Sequence, residues 1–112
     1  REIFISAKGR EWTKSSLWLD EYESHCKWHG VHCNDKFQTV KLDLRSNALS
    51  GTVSPKISSL RFLEHIDFAD NEIKGSIPTE IGQLTNLNYL SLAYNIFVGN
   101  KTDFGNDLKN LE

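Results

Sequence analysis

Residues 63–83 read LEHIDFADNEIKGSIPTEIGQ, and the pattern of this stretch recurs along the chain every 24 residues. The period is clearest in three asparagines at steps of 24, which are Asn47, Asn71 and Asn95. Six further columns keep the same step: Leu42, Ile66 and Leu90; Leu44, Phe68 and Leu92; Leu49, Ile73 and Phe97; Gly51, Gly75 and Gly99; Leu60, Leu84 and Leu108; Leu63, Leu87 and Leu111. Repetition of this kind indicates a solenoid, in which each unit buries its apolar face against its neighbours.

Each unit predicts a short strand, a turn and a helical segment in that order. Leu90 and Leu92 alternate with polar residues, which indicates a strand with two inward side chains. The asparagine that follows lies at a turn, where a buried amide can bond the backbone of its own and the next coil. We therefore expect a ladder of turn asparagines, Asn47, Asn71 and Asn95. Ile77-Pro78 predicts an extended flank, and residues 81–84 predict a short helical or 3₁₀ turn on the convex back.

The unit L-x-x-L-x-x-L-x-L-x-x-N-x-L-x-G-x-I-P-x-x-I-G-x resembles the plant-type leucine-rich repeat over residues 39–112. The departures are Thr39 in place of Leu, Ser54-Pro55 shifted by one position, Lys101 in place of Ile, and Phe104 one place early. The resemblance implies an α/β repeat solenoid, a right-handed coil with short parallel strands on its concave face. It predicts about three 24-residue repeats in residues 39–112, the last of them incomplete.

Residues 1–38 are not a repeat and hold both cysteines and all three tryptophans. The stretch from Cys26 to Cys33, CKWHGVHC, resembles the C-x-W-x-G-V-x-C motif of plant-type N-terminal caps. Residues 9–19, GREWTKSSLWL, resemble a cap variant of algal, diatom and some bacterial repeat proteins. The resemblance implies a Cys26–Cys33 disulfide, and a disulfide implies an oxidising compartment. Residues 1–8 are expected to close a cap helix with Ile3 and Phe4 inward.

The cysteines lie within a histidine-rich segment, and cysteine and histidine are common zinc ligands. A zinc site is therefore an alternative to the disulfide. The segment contains His25, Cys26, His29, His32 and Cys33. The spacing C-x₆-C differs from the C-x₂₋₄-C pairs of common structural zinc sites, so a disulfide with exposed histidines is favoured. Asp67 and Asp70 do not fit a calcium-binding loop and are interpreted as solvated residues on and just after a strand. No catalytic motif occurs, and we predict no enzyme, no metal and no cofactor.

Composition excludes several further classes. The chain has 112 residues with 38% hydrophobic and 25% charged residues, and a net charge of −2. This charge offers no basic surface for nucleic acid, and no apolar run is long enough to span a membrane.

The chain contains no Met, so it is expected to begin after processing or partway into a longer sequence. Asn100-Lys-Thr102 is a glycosylation sequon, which predicts a secreted glycoprotein.

The variable strand positions are expected on the concave face, where a partner would bind. The first coil offers mixed charge, the second is acidic and the third is aromatic, a residue class favoured at interfaces. The predicted partner-binding residues are Lys41, Asp43, Arg45, His65, Asp67, Tyr89, Ser91 and Tyr94.

The leading hypothesis is a non-catalytic protein–protein interaction module of a receptor-like or secreted protein, extracellular or in a membrane-anchored ectodomain. The alternative is a structural accessory subunit of a larger assembly in an oxidising organelle lumen. Leu108 and Leu111 end the sequence with an open coil edge, which predicts further repeats or a partner that covers it. A third, minor hypothesis is an enzyme or metal protein that uses the histidine cluster.

Overall fold

The computed structural model describes residues 1–20 and 24–98 of the chain. These residues form an N-terminal cap and a stack of coils that share one hydrophobic core. Several predictions concern positions outside the described residues: the sequon at Asn100 and the departures and leucines at Lys101, Phe104, Leu108 and Leu111. The right-handedness of the coil and the division between cap and repeats at residue 38 stay predictions.

Aromatic side chains form the centre of the cap. Helix α1, Glu2–Ser6, places Phe4 inside the core, with Ile3 half-buried beside it, and 3₁₀ turns follow at Gly9–Glu11 and His25–Lys27. The ring of Phe4 meets Trp12 edge-on at 5.3 Å between centroids. Trp18 in turn lies 5.0 Å from both neighbouring indoles, those of Trp12 and Trp28. Such pairs each contribute roughly 0.5–1.5 kcal/mol beyond the area that they bury, so the tryptophans hold the cap together.

The main sheet follows directly from the 24-residue period. Its strands are β1 (Val31–Cys33), β2 (Thr39–Asp43), β3 (His65–Asp67) and β5 (Tyr89–Ser91), in the order β1-β2-β3-β5. The three repeat strands pair in parallel, and each residue faces its counterpart 24 positions along the chain. The inward positions of these strands are buried, as the columns predict: Leu42, Ile66 and Leu90. The cap adds β1 as an antiparallel edge strand on β2, which the repeat pattern did not predict.

A second, two-stranded sheet lies on the flank. Strands β4 (Lys74–Ser76) and β6 (Ile96–Val98) pair in parallel, and β4 ends directly before the predicted extended stretch at Ile77-Pro78. Backbone donors are available along this flank, whereas proline has no amide hydrogen: the amide of Ile96 at the start of β6 donates to Ile73 O at 3.0 Å, and the amide of Lys74 donates to Gly51 O of the preceding coil at 2.8 Å. Gly75 has a φ of +81°, and an added Cβ would lie 3.2 Å from Thr52 Cγ2, so glycine suits this position.

The 3₁₀ turns Pro55–Ser59 and Thr79–Gln83 pack against each other in successive coils. The predicted helical turn at 81–84 is therefore confirmed, and it begins two residues earlier. Ile57 and Ile81 are fully buried on these turns, which fixes each turn to the core.

The turn asparagines bond neighbouring coils. Asn71 is buried, and its Oδ1 accepts the amides of Asn47 at 3.0 Å and Leu49 at 2.9 Å. Its Nδ2 donates to Leu44 O at 3.0 Å and Phe68 O at 2.9 Å. One side chain thus satisfies backbone groups of two coils at a bend where the strand pairing has ended.

The cap joins the same network. Asn47 Nδ2 donates to the carbonyl of Lys14 at 2.7 Å, and Asn47 Oδ1 accepts the Lys14 amide. One coil further on, Asn95 Oδ1 accepts the amide of Ile73 at 3.0 Å, and Asn95 Nδ2 donates to Phe68 O at 2.8 Å. In residues 1–20 and 24–98, no helix has both the length and the apolarity that crossing a membrane requires.

Candidate functional site

The open face of the four-stranded sheet is the candidate site, and we call it the sheet face. Its first row consists of Lys41, His65 and Tyr89, which pair across β2, β3 and β5. Its second row consists of Asp43, Asp67 and Ser91 in the same strands. Arg45 and Tyr94 follow the strands, at the start of the turns. The fold thus brings the eight predicted partner-binding residues onto three adjacent coils.

His65 and Tyr89 form a flat aromatic pair in the first row. Their rings are stacked with centroids 4.2 Å apart and an angle of 8° between planes. Burial, and then the positive charge of neighbouring Lys41, lower the pKa of His65, while Asp67 and Asp43 oppose that change. A lowered pKa favours the neutral imidazole at neutral pH, and a neutral ring stacks on the phenol without an added charge.

Asp67 corrects the expectation of a solvated carboxylate, because only 5% of the residue is exposed. It lies on β3, which has a strand on either side, and its Oδ1 accepts the Ala69 amide at 3.0 Å. Arg45 reaches over it, with Nη1 4.0 Å from Asp67 Oδ2 and Nε 3.5 Å from Asp43 Oδ1. The guanidinium side chain is 65% exposed, so a partner would contact Arg45 rather than the carboxylate beneath it.

A further row follows the strands, in the residue just before each turn asparagine. Ser46, Asp70 and Tyr94 all adopt left-handed backbone conformations, with φ of 48°, 59° and 57°. Ser46 Oγ donates to Asp70 Oδ2 at 2.8 Å, which connects the first coil to the second. Tyr94 is 83% exposed, so its ring is presented to solvent at the end of this row.

The cap contributes residues that the repeat pattern could not identify. A polar pocket of about 490 Å³ lies where the cap meets the first coil, and its lining includes Lys14, His29, His32, Asp43, Arg45 and Ser46. The cap residues follow no 24-residue period, so the sequence carried no signal that placed them beside β2. The sheet face therefore extends beyond the repeats onto the cap.

The remaining predicted residues lie elsewhere. Asn71 is buried beneath the turns, where it bonds backbone groups. Cys26 and Cys33 form a disulfide within the cap. Among the described residues, one group of possible metal ligands comes together, at this disulfide: His25 with the two cysteine sulfurs, all within 4.8 Å of one another. With the sulfurs bonded to each other, neither is available as a thiolate.

Comparison with known proteins identifies one of the repeats. Residues 62–84 match the family model described as Leucine Rich Repeat. The receptor kinase-like protein Xa21 of Oryza sativa subsp. japonica is 43% identical over 51 residues. That match covers 41% of this chain and only 5% of Xa21, so the chain spans a small part of this relative's length.

Two solved structures are similar over nearly the whole chain. One is PEPR1–AtPEP1, with a TM-score of 0.78 and 27% identity, covering 98% of this chain and 16% of that one. The other is the receptor kinase HAESA of Arabidopsis in complex with the peptide hormone IDA and the co-receptor SERK1. It has a TM-score of 0.78 and 29% identity, covering 97% of this chain and 19% of that one. Residues 62–84 thus match a leucine-rich repeat, and the fold of the chain is similar to that of a plant receptor kinase.

Proposed function

We propose that the chain is a non-catalytic binding module that contacts a protein or peptide partner through the sheet face. The observation that carries the proposal is the stacked pair of His65 and Tyr89 in the first row of the face. Tyr94 adds an exposed ring one turn away. Tyrosine buries a large area at low cost in conformational entropy and keeps a polar tip, which suits a contact surface.

The charged residues of the face support recognition of a specific partner. Arg45 lies between the carboxylates of Asp43 and Asp67, and this keeps its guanidinium in place while leaving most of it exposed. Lys41 adds a second positive charge beside the aromatic pair. Charged groups at the edge of an apolar contact determine the register of the partner and its rate of association more than its affinity.

A peptide or a co-receptor is the class of partner that we propose. HAESA, similar over 97% of this chain, was solved with a peptide hormone and a co-receptor. We further propose that the chain is part of an extracellular or membrane-anchored receptor-like protein and has no catalytic role. The disulfide supports this location because stable disulfides belong to oxidising compartments.

An interaction array tests the binding function. The full chain, fused to an oligomerising tag, is tested against secreted peptides and receptor ectodomains from its source. Each hit is then measured with Tyr89→Ala and Tyr94→Ala, and with Lys56→Ala in the 3₁₀ turn Pro55–Ser59 as the matched control. We expect the tyrosine variants to weaken binding by about tenfold or more and the control to leave it unchanged. Equal binding by all variants would exclude the sheet face as the surface that binds the partner.

The intact mass tests the location. We expect the natively isolated chain to carry a glycan that enzymatic deglycosylation removes and that Asn100→Gln abolishes. Asn88→Gln is the control, because Asn88-Tyr89-Leu90 is not a sequon. An unglycosylated chain that purifies inside a stable larger assembly would instead support the accessory subunit of an organelle lumen.

A further inference from the structure

The disulfide of the cap has a histidine in contact with both of its sulfurs. His25 begins the 3₁₀ turn His25–Lys27, and Cys26 is the next residue in that turn. Cys33 ends strand β1 and brings the second sulfur back to the same place. His25 Nε2 lies 3.6 Å from Cys26 Sγ and 3.7 Å from Cys33 Sγ.

These two distances are close to those of a tetrahedral zinc site. With Zn–S bonds of about 2.3 Å and Zn–N bonds of about 2.0–2.1 Å, tetrahedral geometry separates nitrogen and sulfur by about 3.5–3.6 Å. His25 Nε2 therefore lies at about this distance from both sulfurs while they are still bonded to each other. The two sulfurs would need to lie about 3.8 Å apart, which they can reach once the bond between them is broken.

We propose that reduction of the Cys26–Cys33 disulfide converts the cap into a zinc site formed by His25 Nε2 and the two cysteine thiolates. The reductant is a dithiol: its two thiols become a disulfide, two electrons pass to the bonded sulfurs of the cap, and two protons complete the cysteine thiols. Zinc then binds both sulfurs as thiolates and releases those two protons. Three protein ligands leave a fourth tetrahedral position, which water fills.

The site is accessible to both reagents. His25 is exposed, and Cys26 and Cys33 are half-buried, so a dithiol can reach the sulfurs from solvent. The spacing C-x₆-C argues against a site made of two cysteines in a short loop, but the third ligand here comes from the residue adjacent to Cys26. The fold, rather than the spacing, brings the three atoms within 4.8 Å of one another.

Cobalt titration tests the proposal, with zinc as competitor. The whole chain is reduced with a phosphine, desalted under argon and titrated with Co²⁺, whose thiolate charge-transfer and tetrahedral ligand-field bands report coordination. We expect one Co²⁺ per reduced chain, displacement by one Zn²⁺, and no bands with the oxidised chain. Absence of bands in the reduced chain, or equal binding by the oxidised chain, would overturn the proposal.

Two variants distinguish zinc binding at a folded site from zinc binding by cysteines in a loosened cap. His25→Ala should weaken zinc binding by about tenfold or more, since even losses of groups that only support ligands cost about 10–100-fold. His32→Ala is the matched control, because His32 lies in β1 one residue before Cys33 and outside the group of three ligands. We expect it to bind zinc as the unaltered chain does. Equal weakening by both variants would mean that an unfolded segment binds the metal and would contradict the proposal.

Discussion

The side-chain oxygen of Asn71 accepts the backbone amide of Asn47 at 3.0 Å, and this bond joins the second coil to the first. Asn47 in turn bonds both backbone groups of Lys14 in the cap. The two asparagines therefore connect cap, first coil and second coil through carboxamides at equivalent positions. Because each carboxamide satisfies backbone groups that no strand pairing reaches, the stack depends on these side chains at its bends.

Asn71→Leu should destabilise the chain by about 1–3 kcal/mol, because it leaves buried amides and carbonyls of two coils without partners. Chemical denaturation followed by circular dichroism measures the change. Asn88→Leu is the control, since Asn88 is exposed and only its backbone is seen to bond. If both variants unfold at the same denaturant concentration, the side-chain bonds do not stabilise the stack.

Cys26→Ser should lower the unfolding free energy by about 2–5 kcal/mol, the usual effect of removing a native disulfide from a small secreted domain. Thermal unfolding checks it, with the reduced unaltered chain as the comparison. We expect the variant and the reduced chain to melt together, well below the oxidised chain. A melting temperature equal to that of the oxidised chain would show that the bond contributes nothing to stability.

Trp12→Ala should cost about 3–5 kcal/mol, because Trp12 is 6% exposed and its Nε1 donates to Ala7 O at 2.8 Å in the centre of the cap. Phe37→Ala provides the contrast, since Phe37 is 71% exposed and its loss should change stability by no more than about 0.5 kcal/mol. Equilibrium unfolding of both variants measures the difference. Similar costs for the two would contradict an aromatic core in the cap.

The pKa of His65 should lie below its usual value of about 6.5, with burial as the main cause and Lys41 as the second. Lys41→Gln removes the second of these causes and should therefore raise the pKa of His65 towards its usual value. Lys56 is not among the groups that shift this pKa, so Lys56→Gln should leave it unchanged. Titration of the imidazole resonances by NMR measures all three values. A pKa at or above 6.5 in the unaltered chain would contradict the environment described.

The same lowered pKa fixes the sign of a pH effect on stability. The unfolded chain binds a proton at His65 more readily than the folded chain does, so the contribution of neutral His65 is fully present above pH of about 6.5. It is lost as the pH falls from about 6.5 towards the folded-state pKa. His65→Gln should remove this part of the acid sensitivity, which unfolding curves at several pH values would detect.

The periodic part of the fold was predictable because each coil repeats the same contacts. The 24-residue columns predicted the parallel register of Lys41, His65 and Tyr89, and they predicted the buried column that contains Ile66. The 3₁₀ turn Thr79–Gln83 was likewise expected, although the predicted turn began two residues later, at Ile81. Repetition identifies such features because one sequence position meets the same neighbours in every coil.

Features outside the repeat depend on single contacts between distant residues and were not predictable. The pairing of β1 with β2 joins the cap to the sheet, and nothing in the period of the repeats specifies it. Asp67 is buried on β3 between two neighbouring strands, with Arg45 of the preceding coil 4.0 Å from its carboxylate, whereas the residue type alone suggested a solvated carboxylate. The polar pocket at Lys14 and His29 arises in the same way, from the cap meeting the first coil.

The most direct test of the account is a covalent footprint of the chain in complex with a partner identified by the interaction array. Carbene labelling followed by mass spectrometry reads the protection of each surface residue. We predict protection at His65, Tyr89 and Tyr94 on the sheet face, with unchanged labelling in the 3₁₀ turns Pro55–Ser59 and Thr79–Gln83. Protection of those turns with a fully labelled sheet face would contradict the central claim that the sheet face binds the partner.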